Sequence, residues 1–516
     1  MYLNGKIVVG KSGTKELNLL LDKANRHGLI SGASGTGKTI TSKVMAESFS
    51  DAGVPVFLAD VKGDLAGTAV MGEMNENISK RVDSLKLKEF EVKEFPVRFW
   101  DVYRVNGHPI RFKVSEVGPD ILSMMLGLSE AQEGVLNLLF KIASDENMDL
   151  DDLKDLKSAL NYIGENRKDY TLNYGNITTQ SIGVILRSLN ALENQGLDKF
   201  FGEPELNIND WVSTDNNGKG IINILDAVEL YKNPDLYSAI MLCLFTKLYD
   251  SMPEVGDLDK PRIVFFFDEA YFLFREMPSY RLKQMEKIVR LIRSKGIGLY
   301  FITHYTTDIP DTILDQLGNR VQHNLRAYTP ADQKIAKAAA DSFRVNPKFK
   351  TYDTILELGT GEALISFQNE KGEPEIVERA TILPPQSRIG VIDGLTRNKI
   401  INNSPFVGKY DEDIDDESAH EIVNQKVEEA RQKEEEEKAR IEEEKREQER
   451  LRQEEKERKE QERLEKEQAR LEEKKKKEEE KAKANNPANK LGKKVVNKAT
   501  NKLIDRSLNK LFKFFK

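Results

Sequence analysis

Eight residues of this chain have the types and spacing to hold a phosphate: Gly32, Ala33, Ser34, Gly35, Thr36, Gly37, Lys38 and Thr39. They fit G-x-x-x-x-G-K-[ST], in which glycines let backbone N–H groups turn inward around an anion. The apolar Gly28-Leu29-Ile30 leads in and a helix-compatible run from Lys38 to Ser50 leads out. Such a helix puts its positive N-terminal end beneath the β-phosphate. Lys38 is then placed to reach the β- and γ-phosphates, and the Thr39 hydroxyl to bind Mg²⁺. A second group complements the first. Ile263-Val264-Phe265-Phe266-Phe267 is an apolar run ending in Asp268 and Glu269. It reads as a strand buried on both faces of a parallel sheet, with acids at the end where such sheets bind ligands. Asp268 is expected to hold the Mg²⁺ water shell, and Glu269 to act as general base for an attacking water.

Further strands with polar exits support this frame. Val54–Asp60 is followed by Val61-Lys62-Gly63-Asp64, and Asp60 or Lys62 is expected near the nucleotide, unless this segment is only a cap and turn. Gly298–Thr303 ends at His304, where a polar side chain can sense the γ-phosphate. The helix expected from Arg281 to Ser294 buries Leu282, Met285, Ile288, Val289 and Ile292 on one face and leaves Arg290 and Arg293 near its end. Together with Arg320, these are arginines that could reach a neighbouring subunit's nucleotide or serve as ordinary surface residues.

The blocks LISGASGTGKT, FLADVKGDL, RIVFFFDEAYFLF, IVRLIRSKGIGLYFIT, DIPDTILDQLGNRVQHNLRAYTPADQKIAKAAA and LGTGEALISF occur in this order. Across roughly residues 5 to 390 the chain resembles the bacterial HerA-like helicase C-terminal domain family, of the HerA/FtsK group of RecA-like P-loop ATPases. The resemblance implies an ATPase core, commonly hexameric, that moves along or remodels DNA. It assigns Lys38, Thr39, Asp268 and Glu269 to nucleotide and metal, and Arg26 to nucleotide contact. Two departures stand out. The sensor after Thr303 is usually Gln in the family and is His304 here, a side chain whose charge responds to pH. Archaeal relatives carry a β-barrel before the ATPase domain, whereas about two dozen residues precede the P-loop strand here.

The fold expected is α/β: a RecA-like, mostly parallel sheet spanning 1–395, with a helical insertion at about 103–218. In the insertion, 120–128, 130–144, 150–165 and 178–194 have helical patterns. The 516 residues carry 79 Lys and Arg against 86 Asp and Glu, a net charge of −7, so DNA contact by the core requires a local basic lining. The single cysteine, Cys243, rules out a disulfide framework, and with no signal peptide or long apolar span the expected compartment is the cytoplasm.

The last third changes character. Residues 396–424 read as an acidic linker. From 425 to 484 roughly three quarters of the residues are Glu, Lys or Arg, paired at i, i+3 and i+4, which suits a charged single helix or a coiled coil. Ile441, Leu451, Leu464 and Leu471 are sparse for a sustained apolar seam. Residues 485–516 form a basic amphipathic tail. Within 490–516 nine Lys or Arg face one acid, Asp505, and Leu491, Val495, Leu503, Leu508, Phe512 and Phe515 can share a helical face. Such a tail suits an anionic membrane surface, nucleic acid or a protein partner. Three functional classes follow: a DNA translocase or helicase, an NTPase working on a protein or membrane complex through its tail, and a slow nucleotide-gated scaffold.

Overall fold

In a computed structural model, residues 1–484 are described except 276, 278, 415 and 416, with only the backbone of 481–484. The basic tail, 485–516, lies outside the described residues. The chain divides into two compact units, Met1–Lys426 and Val427–Lys516.

The described residues of the first unit form one sheet of thirteen strands. These are β1 (Tyr2–Leu3), β2 (Lys6–Ser12), β3 (Lys15–Leu19), β4 (Gly28–Ser31), β5 (Val56–Asp60), β6 (Val97–Asp101) and β7 (His108–Pro109), then β8 (Ile222–Asp226), β9 (Ile263–Phe267), β10 (Ile297–Thr303), β11 (Asn319–Gln322), β12 (Glu362–Ser366) and β13 (Glu378–Ile382). Their order is β1-β2-β13-β12-β11-β4-β10-β9-β5-β8-β6-β7, with β3 also on β2. From β11 to β7 every pairing is parallel, whereas β12, β13 and the amino-terminal strands are antiparallel. The mostly parallel α/β sheet expected from the apolar runs is therefore present. Every residue of β4, β5, β9 and β10 is buried, as strands covered on both faces require. Phe265, Phe266 and Phe267 are each at most 1% exposed, and burying each phenyl ring contributes roughly 2 kcal/mol.

Register aligns the carboxyl ends of the central strands. Ser31 lies opposite Thr303 and Gln322, and Phe301 opposite Phe267. The loops after β4, β5, β9, β10 and β11 consequently open on one edge. The helix Lys38–Asp51 follows β4 and is buried along most of its length, polar residues included. Its Glu47 accepts the N–H groups of Gln386 (2.7 Å) and Ser387 (3.1 Å), and Lys43 Nζ donates to Arg388 O (2.5 Å). The segment after β13 is thereby strapped over the P-loop helix.

The insertion between β7 and β8 contains helices Val114–Met125, Glu130–Asp145, Leu153–Glu165, Arg167–Tyr174 and Thr179–Asn194. Leu136, Leu139, Leu156, Leu160, Ile185 and Leu189 form its buried faces. Ser129 with Gln132, Asp152 and Thr178 cap three of the helices. Within the first helix of the insertion, Gly118 (φ 73) is non-helical, so a short amino-terminal piece from Val114 is separated by a kink from the helix that follows Pro119, which begins where the pattern placed it, at 120.

The expected linker at 396–424 is not one. Gly394–Asn402 is helical, and Phe406 and Tyr410 pack their rings 5.5 and 5.7 Å from that of Trp100. The Tyr410 hydroxyl bonds Asp210, and Asp413 pairs with Arg104 (2.8 Å) and with fully buried Arg111 (2.7 Å). Ser418 Oγ reaches Asp155 (2.6 Å). The acidic surplus misled because two aromatic anchors and buried cationic partners decide the packing. The long helix runs from Ala419 to Ala484, and its first turns, with Ala419 and Val423 buried, belong to the first unit. In the second unit the described residues are this helix alone, carrying i, i+4 pairs such as Glu442–Arg446 and Glu473–Lys477, both 2.7 Å. Ile441, Leu451, Leu464 and Leu471 are exposed on it. No described helix is long and apolar enough to cross a membrane.

Two expectations follow. Tyr410→Ala should lower stability by about 3 kcal/mol in urea unfolding, as removal of a buried aromatic does, whereas a substitution in a true linker would change it by about 0.5 kcal/mol or less. The second concerns His27, whose Nδ1 accepts from Leu299 N (3.1 Å) while Nε2 faces Val289 O (2.8 Å). Burial first, then Arg293 and Arg26 nearby, push its pKa down to about 4. The unfolded chain takes up a proton there near pH 6.5 that the folded chain refuses until about pH 4, so His27 weakens folding progressively as pH falls through that window. The His27 ring signal in NMR should stay that of a neutral imidazole at pH 5.5.

Candidate nucleotide site

The phosphate-binding loop is built by the abrupt turn between β4 and the helix Lys38–Asp51. Gly32 adopts φ 151, and a Cβ there would stand 2.5 Å from the His323 Cβ. Gly37, at φ 115, opens the helix. Neighbouring exits brace the loop: Ala33 N donates to Asn324 O (2.8 Å), Gly32 N to His304 O (3.2 Å) and Gly361 N to Thr36 O (3.0 Å). Beneath it, His323 joins Thr41 Oγ1 (2.9 Å) to Glu362 O (3.0 Å). Burial pushes the His323 pKa down to about 4, so it serves as a neutral brace. This residue carried no sequence signal, since only its position after β11 brings it under the loop. Ser34 and Gly35 form the exposed tip, Thr39 is half-buried, and Lys38 is nearly buried, its Nζ on Gly32 O (2.7 Å) and Ala33 O (3.3 Å). Burial lowers the Lys38 pKa, with Glu269 and Asp268 opposing.

The acids stand across from this lysine. Asp268 is 8% exposed, and burial, then the charge of Glu269, push its pKa up to about 6. One of its oxygens accepts from Glu269 N (2.9 Å), and Tyr237 fixes its carbonyl (2.7 Å). Glu269 has φ 50, a left-handed conformation that costs on the order of 1–3 kcal/mol for a residue with a side chain. Burial works to raise its pKa, but His304, Lys62 and Lys38 together outweigh that and hold it below the usual carboxylate range. Its Oε2 is buried, with His304 Nε2 3.3 Å away, a polar contact outside hydrogen-bond geometry.

His304 stands between the two halves. Its Nδ1 is 3.5 Å from Lys38 Nζ. An ammonium has no lone pair, so Nδ1 must be the accepting nitrogen and the ring proton belongs on Nε2, toward Glu269. This follows from strand order: β10 lies between β4 and β9, so its exit residue falls between their two exits. Lys62 completes the arrangement, with Nζ 3.7 Å from Glu269 Oε1. Of the two residues expected near the nucleotide after β5, Lys62 is at the site and Asp60 is the turn cap. The Asp60 carboxylate accepts four backbone N–H groups, from Lys62, Gly63, Leu65 and Ala66, and burial raises its pKa to about 7.

The arginines lie elsewhere. Arg26 ends a 3₁₀ turn at the amino end of β4, which spans four residues, so roughly 13 Å of strand separate it from the P-loop of its own chain. Arg293 begins the turn before β10 on that same edge, its carbonyl bonded by Asn25 (3.4 Å). Both are half-buried and flank His27. Arg320 does not suit the finger role proposed for it. Its guanidinium donates to the carbonyls of Leu317 (3.0 Å), Ser342 (3.1 Å) and Leu314 (2.9 Å), which tie β11 to the surrounding loops.

The site fits a magnesium nucleotide. A buried Glu269 carboxylate linked through His304 to Lys38 beside a glycine-lined loop suits a water next to a terminal phosphate. Among the described residues no group of three or more His, Cys, Asp or Glu is arranged to hold a metal alone. Thr39 and Asp268 would give Mg²⁺ its protein oxygens, the remainder coming from phosphate and water, and the ion would neutralise charge on the transferred phosphoryl group.

Lys38→Ala should abolish binding of a fluorescent ATP analogue, because it removes the cation inside the cradle. Glu269→Gln should retain that binding but slow phosphate release by about 10²-fold or more, since an amide does not accept the proton of the attacking water. A Glu269→Gln variant turning over at the wild-type rate would show that another group is the base.

No curated protein matches the chain in sequence. Among solved structures, the unbound bacterial conjugative coupling protein TrwBdeltaN70 is similar with a TM-score of 0.48 and 13% identity, over 76% of this chain and 96% of that one. The plasmid coupling protein TrwB in complex with a non-hydrolysable ATP analogue also gives 0.48 and 13%, over 76% and 95%. VirB4 of Thermoanaerobacter pseudethanolicus gives 0.47 and 14%, over 77% and 99%. The sequence model for the helicase HerA-like C-terminal family matches residues 6–511, nearly the entire chain. With the phosphate loop, the paired acids and the parallel sheet all in place, the chain belongs to the helicase HerA-like C-terminal family and is a P-loop ATPase.

Proposed function

We propose that this protein is an ATP-driven motor that works on DNA, as a translocase or helicase. The observation that carries the reading is the meeting of Lys38, Glu269 and His304 at one sheet edge, with His304 Nδ1 3.5 Å from Lys38 Nζ and its Nε2 3.3 Å from Glu269 Oε2. Such an arrangement suits hydrolysis rather than nucleotide storage: Lys38 neutralises the phosphates, Glu269 accepts a proton from water, and His304 spans the two. Membership of a helicase family supports DNA as the substrate.

Assembly belongs to the same reading. Arg26 and Arg293 sit at the sheet edge opposite their own P-loop, which suits contact with a neighbouring subunit's nucleotide in a ring, most simply a hexamer. A second reading draws on the charge distribution. With a net charge of −7 and nine basic residues within 490–516, the chain suits attachment through its tail to an anionic membrane or a protein partner. The cytoplasm, including its membrane surface or nucleoid, fits both readings.

ATP turnover measured with and without single- and double-stranded DNA tests the reading. DNA should stimulate turnover, with an effect that weakens as salt rises. Turnover indifferent to DNA at every salt concentration, with vesicle binding lost on deletion of 485–516, would favour the tethered NTPase. Arg293→Ala should lower turnover by about 10²-fold or more while sparing ATP binding, as loss of an arginine finger does. A monomer by light scattering whose turnover per subunit is unchanged across a wide dilution series would sink the ring.

A further inference from the structure

Lys62 lies outside the phosphate-binding motif, yet its ammonium stands at the carboxylate assigned as the base. Nζ is 3.7 Å from Glu269 Oε1. Lysine 62 is 52% exposed and Glu269 only 4%, so the pair joins a solvent-facing cation to a buried anion. An ordinary surface pair contributes little and needs no fixed geometry. Here the backbone that carries each partner is held in place. On the Lys62 side, four N–H bonds to Asp60, from 2.7 to 3.3 Å, hold the turn that carries it. On the Glu269 side, the left-handed backbone at φ 50 is held by Asp268 Oδ1 on its N–H and by Ala270 N on Ile302 O (2.8 Å). A strained backbone persists only where its surroundings over-determine it, and such strain gathers where a side chain must be aimed. The two carboxylate oxygens also differ. Oε1 has the ammonium at 3.7 Å, whereas Oε2 has His304 Nε2 at 3.3 Å, outside hydrogen-bond geometry.

We propose that Lys62 is a positioning residue for ATP hydrolysis: by engaging Oε1 it turns Oε2 of Glu269 toward the attacking water. The proposal rests on the reading of this site as a hydrolytic one. In the step it serves, the water oxygen forms a bond to the γ-phosphorus while Oε2 accepts the water proton. The bond from that phosphorus to the β–γ bridging oxygen breaks, and ADP leaves with the electron pair. Glu269 then passes the proton to the phosphate product. The Lys62 ammonium exchanges no proton in this sequence. An ammonium so close weakens a carboxylate as a base, so the benefit lies in geometry. Displacement of a reacting group by about 1 Å is enough to cost about 10²-fold in rate.

The test uses the full chain. Lys62→Ala should lower kcat by about 10- to 100-fold, with KM for ATP and the Kd of a non-hydrolysable ATP analogue within twofold of wild type. Lys62→Arg, which keeps a cation on a stem of similar length, should recover most of the rate. In a Glu269→Gln background, Lys62→Ala should cause no further loss in single-turnover phosphate release, because a residue that acts through Glu269 has nothing left to position. A wild-type kcat in Lys62→Ala would overturn the proposal. So would a weaker Kd for the analogue with kcat unchanged, which would make Lys62 a phosphate contact. A full multiplicative loss in the Glu269→Gln background would overturn it as well. Failure of the underlying reading looks different: wild-type protein that binds the analogue but releases no phosphate from ATP would remove the hydrolytic assignment, and the role of Lys62 with it.

Discussion

The whole site depends on one feature of strand order. β10 is inserted between the strand that ends in the phosphate loop and the strand that ends in the two acids. Adjacent strands lie about 4.8 Å apart, so this insertion sets roughly 10 Å between the cradle and the carboxylates. That gap suits a terminal phosphate, a water and a metal ion. The residue at the exit of the intervening strand must then project into the gap, and here it is His304. Buried phenyl rings on β9 and the packed faces of β10 fix the spacing, so the chemistry at the edge is referenced to the core rather than to flexible loops.

Electrostatics at that edge follow from the same geometry. Two carboxylates at the end of a fully buried strand are expensive to keep charged, and burial raises the pKa of Asp268 to about 6. Three cationic or hydrogen-bonding groups from three different loops surround Glu269 and reverse that trend. Lys38 comes from the P-loop, Lys62 from the turn after β5 and His304 from β10. Each is positioned by backbone bonds independent of its partner: Lys62 through the Asp60 cap, His304 through its carbonyl on Gly32, Lys38 through the first turn of its helix. The site is therefore preorganised, and little reorganisation is needed as charge develops. His304 in a slot where the resembling family usually has Gln keeps an N–H donor toward the base and adds an acceptor toward Lys38.

The outer elements serve this edge from a distance. Glu47 and Lys43 on the P-loop helix strap down the segment after β13, and that strap continues into a helix and the aromatic anchors Phe406 and Tyr410 on the far sheet edge. The carboxyl-terminal segment thus crosses from the antiparallel margin to the strands next to the insertion before the long charged helix begins. One consequence is that the compact unit extends to Lys426, well past the catalytic motifs.

Much of this was legible in the residues themselves. The glycine spacing with Lys38 and Thr39, the apolar run before Asp268 and Glu269, and the charge alternation after residue 425 are local signals. Each arises because short-range stereochemistry or periodicity demands those residue types, so each can be read without knowing the fold. Other features were decided only by tertiary structure. Nothing near His323 announces a brace beneath the phosphate loop. Arg320 looked as available as Arg293 until packing tied it to three carbonyls. Acidic composition made 396–424 resemble a linker, although Tyr410 and Asp413 had partners about 200 and 300 residues away. The sequence determined which groups are present and which local conformations they prefer. Which of them meet was decided by strand order and by long-range packing, because a contact between distant residues depends on the closure of the whole sheet rather than on the stereochemistry of either neighbourhood.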